Sequence, residues 1–165
     1  MPRTVSAMAA AISVILAVGC SEQTSVQERN IALVRSFGEA SNSRNYDAIR
    51  EMLTPEFVRH CQATPDVVVQ NREQFIEYLK ADASVFPDSR QTLQRIVAEG
   101  DLVAFWLTYD ATQEGQMGPF PPSHKKMQLE VGGIFRVQAG KLAELWVTWD
   151  NLAALAQLGH FPPAH

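Results

Sequence analysis

The stretch from Thr92 to Trp149 limits most strongly how this chain can fold. Within it, Thr92 to Ala98, Leu102 to Thr112, Met127 to Val137 and Leu142 to Trp149 are rich in Val, Leu, Phe, Trp and Thr, residues that suit a pleated, half-buried surface. Glu99-Gly100-Asp101 and Gln138-Ala139-Gly140 separate neighbouring segments, and short glycine-bearing breaks of this kind are hairpin signals. The spacing predicts neighbouring strands that run antiparallel. The loop from Glu114 to Lys126 holds Gly115, Gly118, Pro119, Pro121 and Pro122, too many breakers for a regular element, and reads as a rim or lid.

Helical patterning precedes the strands. Val26, Leu33, Phe37 and Ala40 fall at helical spacing with Ile31 and Val34 beside them, so Val26 to Ser41 reads as an amphipathic helix. Asn42 to Asn45 breaks it. Tyr46, Ile49 and Leu53 mark a second, short helix with Asp47 in its first turn, stopped by Thr54-Pro55. Phe57 to Cys61 is a short strand candidate. Asn71 followed by Gln74 resembles a capping box, and Phe75, Ile76 and Leu79 form the buried stripe of a third helix that ends before Phe86-Pro87-Asp88. Helices first and hairpin-linked strands second is the pattern of an α+β fold, with helices packed on one face of a curved antiparallel sheet.

A chain of 165 residues, 46% of them hydrophobic, is about one domain with a core of ordinary size. Lys and Arg number 14 against 18 Asp and Glu, for a net charge of −4. With no block of like charges, nothing points to a nucleic-acid partner. The N-terminus differs in kind: Met1 to Arg3 is basic, and Ala7 to Val18 is an apolar run ending in Gly19-Cys20. That is the layout of a bacterial secretory signal, too short for a comfortable membrane span. Leu16-Ala17-Val18-Gly19-Cys20 resembles a lipoprotein signal, in which the cysteine is acylated and becomes the new N-terminus. Residues 1–19 then form a signal peptide, residues 20–25 the lipidated cysteine and a short polar tether, and residues 26–165 the domain. The resulting expectation is an exported lipoprotein on the periplasmic or cell-surface side, touching the membrane only through its lipid. If Cys20 is instead unmodified, it could pair with Cys61 in an oxidising compartment.

Alternation in a strand places Leu142, Glu144, Trp146, Thr148 and Asp150 on one side, and Ala143, Leu145, Val147 and Trp149 on the other. The second set is wholly apolar and reads as core. The first mixes carboxylates with an aromatic, as a pocket wall does. With a tight turn at Ala139-Gly140, Gly133 falls opposite Trp146 and leaves space for its indole. Asp150 has two readings. Desolvated by tryptophans it would be a general base or acid with a raised pKa; preceding Asn151 to Gln157, it is a preferred N-cap, the reading that local sequence alone favours. His60 ends the strand from Phe57 and is a second acid or base candidate, or a hydrogen-bonded structural histidine. The histidines and cysteines have no metal-ligand spacing, and no phosphate loop, dinucleotide fingerprint or G-x-S-x-G elbow is present. Neither a metal nor a cofactor is expected.

Several pieces taken together resemble the SnoaL-like polyketide cyclase family, often called ester cyclases, of the nuclear-transport-factor-2-like fold. They are Pro55-Glu56-Phe57-Val58-Arg59-His60, Phe86-Pro87-Asp88, Ala98-Glu99-Gly100-Asp101-Leu102-Val103, Met117-Gly118, Gly140-Lys141-Leu142-Ala143-Glu144-Leu145-Trp146 leading to Asp150, and Gln157-Leu158-Gly159. The resemblance covers about Asn30 to Gly159. It implies a cone in which helices wrap a curved sheet around an apolar cavity, with Asp150 as acid/base in an aldol-type ring closure and His60 facing the same cavity. Two departures count against a direct transfer of activity. Ala111-Thr112-Gln113 stands where the family often has a histidine, and Pro122-Ser123-His124 where it has Pro-Thr-Gly.

Two functions follow as expectations. One is a cofactor-independent cyclase or isomerase acting on a small apolar carbonyl or ester compound. Asp150 and His60 would be catalytic, and Trp146, Glu144, Trp106, Tyr109, Phe135 and Gln113 would shape the pocket. The other is a non-catalytic exported lipoprotein holding a hydrophobic ligand on the same fold. A homodimer through the exposed sheet face is expected with either.

Overall fold

The computed structural model describes residues 26–161. The signal peptide, Cys20 and the tether lie outside the described residues. The chain is helical over 26–42 (α1), then forms α2 (Tyr46–Met52), β1 (Leu53–Cys61) and α3 (Arg72–Val85). Four long strands follow, β2 (Arg90–Glu99), β3 (Leu102–Thr112), β4 (Lys126–Gln138) and β5 (Lys141–Trp149), and α4 (Asn151–Leu158) closes the fold. Asn30, Val34, Phe37 and Ala40 are the buried face of α1, and Asn30 Nδ2 donates to the Gly100 carbonyl at 3.2 Å, tying the helix to the β2–β3 turn. Asn71 caps α3 by accepting from Gln74 N at 2.9 Å. The return bond of the capping box reaches one residue further, from Gln70 N to Gln74 Oε1 at 2.8 Å.

The strand order is β1-β5-β4-β3-β2. β2, β3, β4 and β5 pair antiparallel in sequence, as the turn signals require. β1 pairs with β5 in parallel, so the sheet is mixed where a wholly antiparallel one was expected. No hairpin joins those two strands; α3 and three strands intervene, and a connection of that length permits either direction.

One extra residue in β5 corrects the reading of its faces. Val137 lies opposite Leu142, yet Arg136 lies opposite Glu144, which leaves Ala143 as a bulge. A bulge inverts the alternation beyond it. Leu142 is therefore interior together with Leu145 and Val147, while Glu144 and Trp146 turn to the outer face. Trp146 sits opposite Ile134, and Gly133 opposite Val147. The space left by glycine serves other rings: a Cβ on Gly132 would meet the Trp106 ring at 2.7 Å, and one on Gly133 would meet Phe105 Cζ at 2.5 Å.

The interior is packed in two places. A larger cluster gathers Phe37, Ile49, Phe57, Phe75, Phe135 and Leu142 under α1, α2 and α3. A smaller one gathers Phe86, Ala111, Met127, Leu129, Ala154 and Leu158 beneath α4. Phe37, Phe75 and Phe135 of the first and Phe86, Met127 and Ala154 of the second all face the cavity between them.

Candidate functional site

The cavity has a volume of about 1190 Å³ and opens to solvent. Its walls are α1 and α3 on one side and the inner face of the sheet on the other, with Val67, Val68 and Val69 and the Gln116–Gly118 segment at its edges. Most of the lining is apolar. A few polar side chains converge in it, the usual constitution of a small-molecule site.

Asp82 is the first of them. It stands seven residues after the buried Phe75 on α3, hence on the same helix face, and it lines the cavity half-buried. Tyr109, on the inner face of β3, donates its hydroxyl to Asp82 Oδ2 at 2.9 Å, and Phe86 meets the Tyr109 ring edge-on at 6.3 Å. Burial raises the Asp82 pKa, and the opposing pull of the Tyr109 hydrogen bond, Arg59 and Arg44 does not cancel that. Burial and the neighbouring Asp82 likewise raise the Tyr109 hydroxyl, keeping it a donor. A carboxyl desolvated in this way holds its proton more tightly than a solvated one, which suits a group that gives and takes a proton.

Arg59 is the second. β1 turns it inward, level with Leu145, and only 5% of its surface is exposed. Its guanidinium lies over the Tyr78 ring at 4.4 Å and near the Trp149 ring at 5.9 Å. It donates to Thr64 Oγ1 and to the Tyr78 hydroxyl.

Among the residues expected at the site, Tyr109 and Phe135 line the cavity. The others are placed elsewhere, which corrects the expected pocket. Asp150 is exposed and caps α4, its Oδ1 accepting from Ala153 N at 2.9 Å, and it is not part of the lining. His60 is level with Trp146 on the outer face, stacked on its indole at 5.3 Å, with Nε2 2.7 Å from Glu144 Oε1. Glu144 also accepts from Arg136 Nε at 3.0 Å; burial alone would raise its pKa, but the bonds from His60 and Arg136 outweigh it and hold the carboxyl low. Trp106 and Trp146 are 44% and 39% exposed on that outer face. Gln113 is fully buried and donates to the Gly115 and Pro121 carbonyls at 3.1 and 3.0 Å, while its Oε1 lies 2.7 Å from His160 Nε2. It pins the 114–125 loop and is not in the lining.

Sequence reasoning passed over Asp82 and Arg59, yet each left a signal. Asp82 continues the stripe of Phe75 and Leu79 as its one charged member, and Arg59 stands between Phe57 and Cys61 at the interior phase of a strand. Among the described residues, no histidine lines the cavity and no cluster of three or more His, Cys, Asp or Glu is arranged to hold a metal ion.

Helices laid over a curved five-stranded sheet, with an apolar cavity between, define a cone of the nuclear-transport-factor-2-like class. The chain belongs to the SnoaL-like polyketide cyclase family, whose model matches residues 31–158. IdmH from Streptomyces antibioticus, a candidate polyketide cyclase, is similar at 29% identity and a TM-score of 0.70, over 79% of this chain and 98% of its own. A SnoaL-like protein from Jannaschia superposes with a TM-score of 0.75 at 22% identity, over 83% of this chain and 95% of its own. An epoxide hydrolase from M. tuberculosis shares the fold at 17% identity and a TM-score of 0.66, over 80% of this chain and 90% of its own. No curated protein matches the chain.

Proposed function

We propose that the protein is a cofactor-independent acid/base enzyme acting on a small apolar carbonyl or ester compound, with Asp82 as the proton carrier. One observation carries the reading: a carboxyl bonded by Tyr109 and raised in pKa by burial lines an apolar cavity large enough for such a compound. In the ionised form Asp82 takes a proton alpha to the carbonyl, and the C–H electron pair moves into the enolate. Isomerisation returns that proton to a different carbon. In ring closure the enolate carbon attacks a second carbonyl, and the alkoxide formed takes the proton from Asp82. Tyr109 keeps the carboxylate oriented and partly stabilised between the two transfers.

Deuterium incorporation at the alpha carbon of 1-tetralone in D₂O tests the proton transfer without the natural substrate. The protein should accelerate it, Asp82→Asn should lower the rate by about 10²-fold or more, and Asp150→Asn should leave it unchanged. Full exchange in Asp82→Asn would remove Asp82 from the mechanism.

A second reading, a hydrophobic-ligand carrier, is favoured by the absence of any histidine from the lining among the described residues. Binding of an apolar dye without any exchange would establish it. Export and acylation at Cys20 belong to either reading, and the intact mass of the mature protein, with or without a diacylglyceryl addition, decides them. A second copy of the chain is assigned to the outer sheet face.

A further inference from the structure

We propose that the cavity takes its ligand as an anion, an apolar body ending in a carboxylate that is seated on the Arg59 guanidinium. This rests on the reading of the cavity as the ligand site and adds the chemical class of what enters it.

Arg59 carries a buried charge with no carboxylate bonded to it. A guanidinium as buried as Arg59 ordinarily stands against a carboxylate, because an isolated charge away from water is costly. Arg59 makes no ion pair within 4.0 Å among the described residues, whereas Arg50, Arg72 and Arg136 are among the arginines that do. Its partners are neutral. Thr64 Oγ1 receives Nη1 and Nη2 at 3.3 and 3.2 Å, and the Tyr78 hydroxyl receives Nη2 at 3.3 Å. These are long compared with the about 2.7–2.9 Å of charge-assisted bonds to an anion. Tyr78 stays un-ionised because burial pushes its hydroxyl up to about 12.

The acidic groups nearby do not fill the role. Asp82 feels the guanidinium as a charge at a distance but makes no ion pair with it within 4.0 Å, its carboxyl being bonded by the Tyr109 hydroxyl instead. Glu39, Glu73 and Glu77 border the cavity but are exposed to water, and Glu73 is already bonded to Arg50.

Geometry indicates how an anion could be received. The Tyr78 ring fixes the guanidinium plane from one side. Thr64 belongs to the 62–71 connection between β1 and α3, which also carries Val67 and Val68, both exposed and both lining the cavity. Thr64 holds N–H groups that a carboxylate would bind more strongly. An entering acid displaces the threonine hydroxyl, while its apolar body meets Leu107, Val131 and Val147.

The test is displacement of the neutral dye N-phenyl-1-naphthylamine from the purified protein by 2-naphthoate or by methyl 2-naphthoate. The two competitors share a ring system and differ in charge. The acid should compete at a concentration about ten-fold lower than the ester, as expected for a hydrogen bond to a charged group. Arg59→Gln should abolish that preference with dye affinity retained, and Arg59→Lys should keep part of it. Equal competition by acid and ester in the unmutated protein overturns the anion inference and leaves the cavity reading standing, and this comparison needs no variant to fold. Persistence of the acid preference in Arg59→Gln also overturns it. Failure of the dye to bind overturns both.

Discussion

Of the two alternative readings of Asp150, cap or acid/base, the structure gives it the cap, and the acid/base role is the one proposed for Asp82. Asp150 occupies a strand-to-helix junction where its carboxylate accepts from Ala153 N, and a preferred cap at such a position needs no further explanation. Asp82 has no capping partner and is buried against Tyr109. The difference has a thermodynamic signature. The folded-state pKa of Asp82 is raised above its ordinary value of 3.8, so its proton is held more tightly folded than unfolded. The resulting stabilisation is complete below the ordinary value and is lost as pH rises through the raised one. Asp82→Asn cannot ionise and still offers Tyr109 an acceptor. Its stability relative to the unmutated protein, from urea midpoints, should therefore climb as pH rises above the ordinary value of 3.8. A difference that stays flat with rising pH would show the carboxyl to be solvated. Asp82 and Arg59 were legible only as exceptions within apolar stripes, whereas Asp150 stood out because its sequence neighbours were aromatic. Adjacency along a strand, however, puts neighbours on opposite faces.

At the level of elements, pattern and turn chemistry located the strands well, and β3 occupies the expected Leu102 to Thr112. The parallel pairing of β1 was not accessible, because local signals specify only pairings closed by short turns. The Ala143 bulge was equally hidden, since nothing in Leu142-Ala143-Glu144 marks an inserted residue, and its effect was to put Leu142 on the interior face with Leu145 and Val147, away from Glu144 and Trp146. The glycine pair in β4 reflects that corrected register. On one side Gly133 admits Phe105, and its Cβ position also lies 2.7 Å from the Trp146 carbonyl oxygen, which cannot swing away. On the other, Gly132 admits the half-exposed ring of Trp106. Gly133→Ala should accordingly cost about 1–3 kcal/mol in urea unfolding, and Gly132→Ala less, because the indole can tilt outward. Equal, negligible costs would mean that the sheet absorbs both methyl groups.

On the scale of the whole molecule, the outer face is a surface of its own. Val97, Ala104, Ile134, Trp146 and His60 lie in one row across all five strands, and Val97, Ile134 and Trp146 in that row are exposed. Contiguous apolar surface rimmed by polar groups marks an interface, and the polar side chains of Glu144, Arg136 and His60 there bond one another. Sedimentation velocity should find a dimer that Ile134→Glu converts to monomer; a monomeric unmutated protein at tens of micromolar would leave this face without that partner. The inside of the molecule has a different consequence. Its two apolar clusters face each other across a space, so part of the surface that a protein of this length would bury within itself is left for another molecule to cover. On the proposed function, an apolar occupant would supply the missing middle layer of the interior. Folding and binding would then draw on one equilibrium, and such a guest would act on the cone as a removable segment of its own core.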